Sequence, residues 1–475
     1  MGMEAASGPT PVATATFPSA PPRGGRWGVW HARLSLHPRW WLAGAALATA
    51  LLWWSHLPSL LLQAQLYADD GNWYQGAYVH GPIGSLLLPA NGYLVLLQRG
   101  TASLSLLLPL IAVPAFFNLA ALLVEVGGIC YLLSSRMAAA IPHLGVRIAI
   151  AALVIAVPNA YDTSGNLTNA QWHLGLIAFL VVFAAPPRRA GGWVTDAVVL
   201  ILSGLSGPYC LLLEPIVGWR WLRGRADRRG ALILVANSAC AVVQLAVIAA
   251  TASVRQGLTA LDPSPTSLVT ILGRQITLGL TVGAHGLTTL VGTPLGGDPV
   301  VLGLLAALPV LTCGWAMWRG PAVLRAFCLL ATLELLLALA TPSIAAPRWP
   351  NLGRPADIVN FHPGGIRYFL YPLLALALSL GWLVVVGVRR ELARRGGQGA
   401  GSRRLPLAGA RAVASVAAVL LFVAALDGVP ADWEYPPYLD LHWGAEVQRW
   451  ETAAPGTPVS FPLNPPGFTM TLVAR

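Results

Sequence analysis

What most constrains this chain is an apolar run of about twenty residues that recurs from Trp41 almost to Leu426. A helix of that length crosses the hydrocarbon core of a bilayer, where only structures that satisfy their own backbone groups survive. The expected fold class is therefore an all-α polytopic membrane protein. Composition agrees: 56% of residues are hydrophobic, 10% are charged and the mean hydropathy is +0.64. The net charge of +11 comes from arginine, with no lysine in the chain. These arginines gather in short clusters between apolar runs, which points to loops facing anionic lipid and away from nucleic acid. A lipid bilayer is the expected partner, no nucleic acid is, and nothing in the sequence speaks to oligomeric state. Cys130, Cys210, Cys240, Cys313 and Cys328 all lie inside apolar segments without a close pair. They read as small buried hydrophobes, neither disulfides nor metal ligands.

Arginine placement orients the runs. Residues 1–40, rich in Pro, Ala, Gly and Thr, read as a disordered cytoplasmic tail. Trp41–Leu62 then runs outward and Leu104–Leu133 returns to Arg136. Gly145–Ala160 goes out and Ala170–Ala185 comes back to Arg188 and Arg189. Trp193–Trp219 has arginines at both ends and a Ser206-Gly207-Pro208 break near its middle, so two short helices meeting there are expected. Ala231–Ala252 exits. The amphipathic stretch from Gln256 to Pro299 is laid along the outer interface, which keeps the cluster Arg389–Arg404 inside. Val300–Trp318, Ala322–Ala340, Tyr368–Val388 and Ala412–Leu426 complete a count of about eleven spans. The transmembrane domain is thus 41–426, with external loops 63–103, 161–169, 253–299 and 341–367, and 427–475 is a short extracytoplasmic tail. The expected location is the plasma membrane, with the amino end cytoplasmic and the carboxyl end outside.

That orientation puts the unusual polar residues on the external side. Asp69 and Asp70 stand together in the first external loop, with Trp73 and His80 behind them, although Asp and Glu number only 19 in 475 residues. The pair is either a helix cap or a general base at the membrane surface. Asp162, Asn166, Asn169, Gln171, Trp172 and His173 crowd one helix entrance. They offer hydrogen-bonding groups and a flat apolar face of the kind that holds a sugar, or in the plainer reading a cap by Asn166 or Asn169. His362, Arg367 and Tyr368 lie at the lip of a late span. The guanidinium there either grips a phosphate at headgroup depth or anchors the helix by snorkelling. Glu125, Glu214 and Glu334 are carboxylates inside spans, where charge is costly; Glu214 is expected to pair with Arg220 or Arg223.

Three features together make the chain resemble the GT-C superfamily of polytopic glycosyltransferases: the acidic pair Asp69-Asp70, the polar loop Asn166–His173, and Gly365-Ile366-Arg367-Tyr368 opening a late span. The resemblance implies a GT-C-like bundle with interfacial external helices, a polyprenyl-phosphate sugar as donor, and Asp69 or Asp70 as catalytic base of an inverting transfer. Some relatives use a divalent cation and others none, so no cofactor is expected outright while a divalent cation stays open, and no metal ligands are assigned. The alternative from another class is a transporter or flippase for a lipid-linked or small polar substrate, using the broken hairpin and Glu125 or Glu334 as a midplane site. The tail is expected to dock through Trp443 and Trp450, with one amphipathic helix around His442–Trp450, and to cover the acidic cleft.

Overall fold

The computed structural model describes residues 38–223, 227–252, 261–340, 349–357, 365–395 and 407–474. Among them, seven helices are long and apolar enough to cross a membrane: Leu110–Leu133, Arg228–Ala250, Pro265–Leu290, Pro299–Arg319, Ala322–Ala340, Ile366–Arg389 and Arg411–Ala431. Leu144–Ala156, Ala170–Phe183 and Ala190–Gly204 are apolar but shorter. The first helix, Pro38–His56, ends before Pro58, and a single turn Ser59–Leu62 follows. That helix begins in a short unit ending at Ala45, and Ala46–Arg475 forms one compact unit.

Side chains such as Leu304, Leu311, Val242 and Phe422 stand exposed on these helices. So many exposed large apolar groups are stable in lipid, whose tails replace the missing protein neighbours. The protein is an all-α polytopic membrane protein in its helical part. Its main core gathers the inward faces of Ala170–Phe183, Tyr209–Arg223, Ala322–Ala340 and the Leu370–Arg395 helix, with Phe179, Ile216, Phe327, Phe369 and Tyr371 at its centre.

The expected break near Ser206-Gly207-Pro208 is present between Ala190–Gly204 and Tyr209–Arg223, with Gly207 at φ 130. Its freed carbonyls do not go begging. The Gln244 amide donates to Gly204 O and Gly207 O at 3.1 Å each, and Ser206 Oγ receives Leu97 N at 2.7 Å. Buried helix ends need such partners, so the break is a pinned corner. Glu214 also differs from expectation: it accepts Asn237 Nδ2 and Ser238 Oγ, both at 2.5 Å, and needs no arginine. Some arginines expected to face lipid are stapled inward instead. Arg136 grips Asp196 with two bonds of 2.7 and 2.6 Å, and Arg229 reaches the same carboxylate at 3.2 Å.

Two stretches depart from the sequence reading. Pro265–Leu290, expected along an interface, is a helix with more than half of its apolar window buried. It contains a π-helical stretch, Ile271–Leu278, and a kink at Gly283 (φ 71), which let it wrap against Pro299–Arg319 and the end of the Arg411–Ala431 helix. The tail holds the expected helix, Trp443–Glu451, and also an antiparallel hairpin, Pro458–Leu463 with Phe468–Val473, that helical patterning did not foresee. Val459, Phe461, Leu463, Met470 and Leu472 turn one hairpin face inward, the period-two burial of a half-covered strand pair. With Trp443 they form a second core against Leu66, Trp73, Tyr74, Ala77 and Phe117. Trp450 adds an edge contact to Tyr78 at 6.2 Å.

Candidate active site

Adjacent carboxylates on a short loop have two different fates, and the backbone decides which. Ala68 sits at φ 46, a left-handed conformation rare outside glycine. It is held there because Ala68 N donates to Asn464 O at 2.5 Å and Asn464 N to Leu66 O at 3.2 Å. The turn sends Asp70 inward as the first residue of the Asp70–Gly84 helix and leaves Asp69 before it, half-buried.

Asp70 is fully buried. Its Oδ2 accepts Tyr67 N at 3.1 Å and its Oδ1 accepts Thr168 Oγ1 at 2.8 Å. Burial pushes its carboxyl from the ordinary 3.8 up to about 7, against the pull of those hydrogen bonds. Asp69 Oδ1 accepts only the Asn72 amide, at 3.0 Å, among the hydrogen bonds described. Its charge reaches Arg99, which is buried over the Trp73 ring at 5.0 Å and donates to Asn72 O at 3.1 Å.

The polar loop comes to the same place. Asp162, 2% exposed, receives the Tyr67 hydroxyl on Oδ1 at 2.5 Å and lies 3.5 Å from Arg367 Nη1. Burial raises the Asp162 carboxyl and the Arg367 charge opposes it. Asn169 donates to Asp162 O at 2.7 Å and to Oδ1 at 3.2 Å. Asn166 spends its amide on Asp162 O and Ser164 O, and its Oδ1 on Asn169 N at 2.9 Å. Asn166 thus braces the turn before the Ala170–Phe183 helix, whose first residues take no side-chain cap from it or from Asn169. Glu125 also serves this loop: its Oε1 accepts Gly165 N at 2.8 Å, where Gly165 takes φ 74. This carboxylate inside a span therefore braces the acid loop.

Arg367 lies beside Tyr368, with its guanidinium 5.4 Å from the ring. Tyr93, buried, has its hydroxyl raised to about 12, chiefly by burial; Tyr368, Arg367 and Asp69 all act on it, and Gln171 bonds it. Tyr93 is thus the group on which Asp69, Gln171, Tyr368 and Arg367 all act. Trp172 lies in the core, edge-on to Tyr209, Tyr368 and Tyr371 within 6.0 Å. His173, 4% exposed, is a core histidine beside Trp53, with Ser164 Oγ at 3.3 Å. Trp73 is a floor for Arg99 and part of the second core. His80 is exposed ten residues along the Asp70–Gly84 helix, about 15 Å of rise away, and does not join the site. His362 lies outside the described residues.

The sequence reading missed Tyr67, Tyr93, Arg99, Thr168 and the tail residues Tyr435, Tyr438 and Asn464. Arg99 carried a signal: it is the one arginine between Trp41 and Leu133. Among the described residues no group of three or more His, Cys, Asp or Glu is placed to hold a metal ion. Both Asp70 oxygens are already committed to hydrogen bonds.

No protein-family model and no curated protein matches the chain. Among solved structures, the apo form of an oligosaccharyltransferase from Archaeoglobus fulgidus is similar, with a TM-score of 0.39 and 13% identity over 87% of this chain and 58% of that one. This chain thus spans under two thirds of the other's length, and an overlap this loose assigns no residue and no activity.

Proposed function

We propose that the chain is a membrane glycosyltransferase that moves a sugar from a polyprenyl-phosphate donor to an acceptor hydroxyl at the extracytoplasmic face. The observation that supports this reading is a half-buried carboxylate, Asp69, and a guanidinium, Arg367, fixed by Asp162 at 3.5 Å, both of which act on the Tyr93 hydroxyl. Base and leaving-group partner are the two charges such a transfer needs. Asp69 takes the acceptor proton as the oxygen attacks the anomeric carbon. The bond from that carbon to the phosphate oxygen breaks with inversion, and the lipid phosphate leaves with the electron pair. Arg367 meets its developing charge through a planar fork suited to phosphate. Asp70 is a positioning residue: it ties Tyr67 N to Thr168 Oγ1, and so joins the first loop to the acid loop. No step is routed through a metal.

Purified protein incubated with a panel of polyprenyl-phosphate sugars tests the reaction. Transfer should occur with at least one donor, and Asp69→Asn should lower its rate by about 10²–10⁴-fold, the contribution of one positioned base. Undiminished turnover in Asp69→Asn would remove that residue from the chemistry. Of the features on which a transporter would rely, the hairpin break is pinned by Gln244 and Glu125 braces Gly165, while Glu334 is buried with neither carboxyl oxygen hydrogen-bonded.

A further inference from the structure

On the far side of Tyr67 from Asp70's partners lies a small cavity of about 10 Å³. That is room for about one water. Tyr67, Tyr161, Tyr435 and Tyr438 wall it, and Asp162 and Asn166 form its polar side. Two of those walls come from residues 432–439, a strap of tail without helix or strand from Tyr435 onward. The strap is latched without covalent bonds. Asp432 accepts Asn159 N at 2.7 Å, Ala284 N at 2.6 Å and His285 N at 3.1 Å, closing against Gly283. Tyr435 N donates to His56 O at 2.8 Å, and its ring stacks on His56 at 4.7 Å. Tyr438 stacks on Tyr67 at 5.7 Å and donates to Gly165 O at 3.3 Å.

Beneath the strap, Asp162 Oδ1 is bonded twice, whereas its buried Oδ2 has no close hydrogen bond and faces Arg367 Nη1 at 3.5 Å. A hydroxyl arriving in the cavity would give that oxygen a close donor beside its charge partner. Asp162 is charge-paired with the Arg367 guanidinium, and Asp432 is taken up by three backbone donors. An ion of either sign therefore gains little there, and a neutral ligand fits. Flat aromatic faces beside a carboxylate acceptor suit a neutral polyol, whose C–H faces stack while its hydroxyls donate.

We propose that this cavity is the closed form of an acceptor subsite for a neutral sugar residue, entered when the Asp432–Leu439 strap lifts. The assignment deepens the glycosyltransferase reading and rests on it for the word acceptor. Asp162 Oδ2 receives a sugar hydroxyl, and Tyr67 and Tyr438 part to take the ring between them. The donor occupies the Asp69 side, across Tyr67.

The test is binding without donor, so that it separates from turnover. Saturation-transfer NMR on the full chain in detergent would use a panel of methyl glycosides of glucose, galactose, mannose, arabinose and N-acetylglucosamine. At least one should bind. Asp432→Asn weakens the latch and should bind it several-fold more tightly, because a larger fraction of molecules is open. Asp162→Asn should bind it about tenfold more weakly, the size of one hydrogen bond to a charged group. Should Asp162→Asn fail to fold, Leu57→Cys with Pro436→Cys, joined by a short bismaleimide across the cavity, locks the strap and should abolish glycoside binding. No binding by wild type and Asp432→Asn alike, or undiminished binding in Asp162→Asn or in the locked protein, overturns the subsite. Glycoside binding with no sugar transfer from any donor would sink the reaction and keep the subsite. Transfer to a peptide or lipid with no glycoside bound would do the reverse.

Discussion

Asp70→Asn separates the roles of the two adjacent carboxylates. The replacement is nearly isosteric, and the site can satisfy it. The amide oxygen accepts Tyr67 N as Asp70 does now, and the amide nitrogen donates to Thr168 Oγ1, whose own hydrogen turns to Tyr67 O at 3.0 Å. What disappears is a buried titration. The Asp70 carboxyl is raised from 3.8 to about 7, so the folded chain holds its proton more tightly than the unfolded chain does. Stability from this group therefore falls as pH rises through that interval, and the loss is complete above about 7, where three pKa units amount to about 4 kcal/mol. The amide has no such slope. Its stability relative to wild type should climb by about 2–3 kcal/mol between pH 5 and pH 8. Thermal unfolding of both proteins in one detergent, followed by intrinsic fluorescence across that range, reads the gap directly. Activity is read in parallel: with Asp69 as base, Asp70→Asn should cost at most about tenfold, against 10²–10⁴ for Asp69→Asn. A gap that stays flat with pH would refute the buried titration. Equal losses in the two variants would make Asp70 the base.

Three further outcomes are expected. Arg367→Lys keeps the charge and loses the fork, so donor KM should rise about tenfold with folding intact; an unchanged KM would leave Arg367 as a helix anchor. Asn464 is fully buried and closes a pair with Leu439 at 2.9 and 3.1 Å, so Asn464→Ala should free the hairpin and raise proteolysis within residues 432–474; unaltered cleavage would show the tail held by its apolar face alone. Cysteine at Asp440 should react with an impermeant thiol reagent on intact cells and cysteine at Arg395 only after permeabilisation; labelling at Arg395 in intact cells would overturn the eleven-span topology, and labelling at Asp440 only after permeabilisation would move the site to the other side of the membrane.

The helices were legible because lipid imposes a simple rule. Runs such as Val300–Trp318 and Ala322–Ala340 return in the structure as Pro299–Arg319 and Ala322–Ala340 within a residue or two. Where protein replaces lipid as the neighbour, that rule lapses. Pro265–Leu290 reads as amphipathic because Arg274, His285 and several Gly and Thr interrupt it, yet Arg274 finds Gly353 O and His285 finds Asp432 inside the fold. Polarity that marks an interface in an isolated helix marks a packed contact here. The tail hairpin was hidden for a related reason: Pro458 and Pro462 argue against a strand, and only an edge with one covered face admits them.

The acid loop was legible as a concentration of polar residues but not as an order of roles. Asp69 and Asp70 are the same residue type at consecutive positions, and composition cannot rank them. The ranking comes from Ala68, forced to φ 46 by a bond from Asn464 nearly four hundred residues later. The same strand of tail seats Leu463 and Met470 over Gly71, where a Cβ would collide with Leu463. The carboxyl-terminal segment thus sets which carboxylate faces the cleft. A strap that shapes the acid loop on one side and closes a tyrosine-walled cavity on the other links the two halves of the proposed reaction. Lifting residues 432–438 opens the Asp162 side while Asn464, bonded to Leu439 at the end of the strap and to Leu66 and Ala68, keeps Asp69 aimed. Acceptor entry and base geometry can therefore vary independently only because the tail is fastened twice, and cutting the second fastening should cost turnover even where the first has been opened.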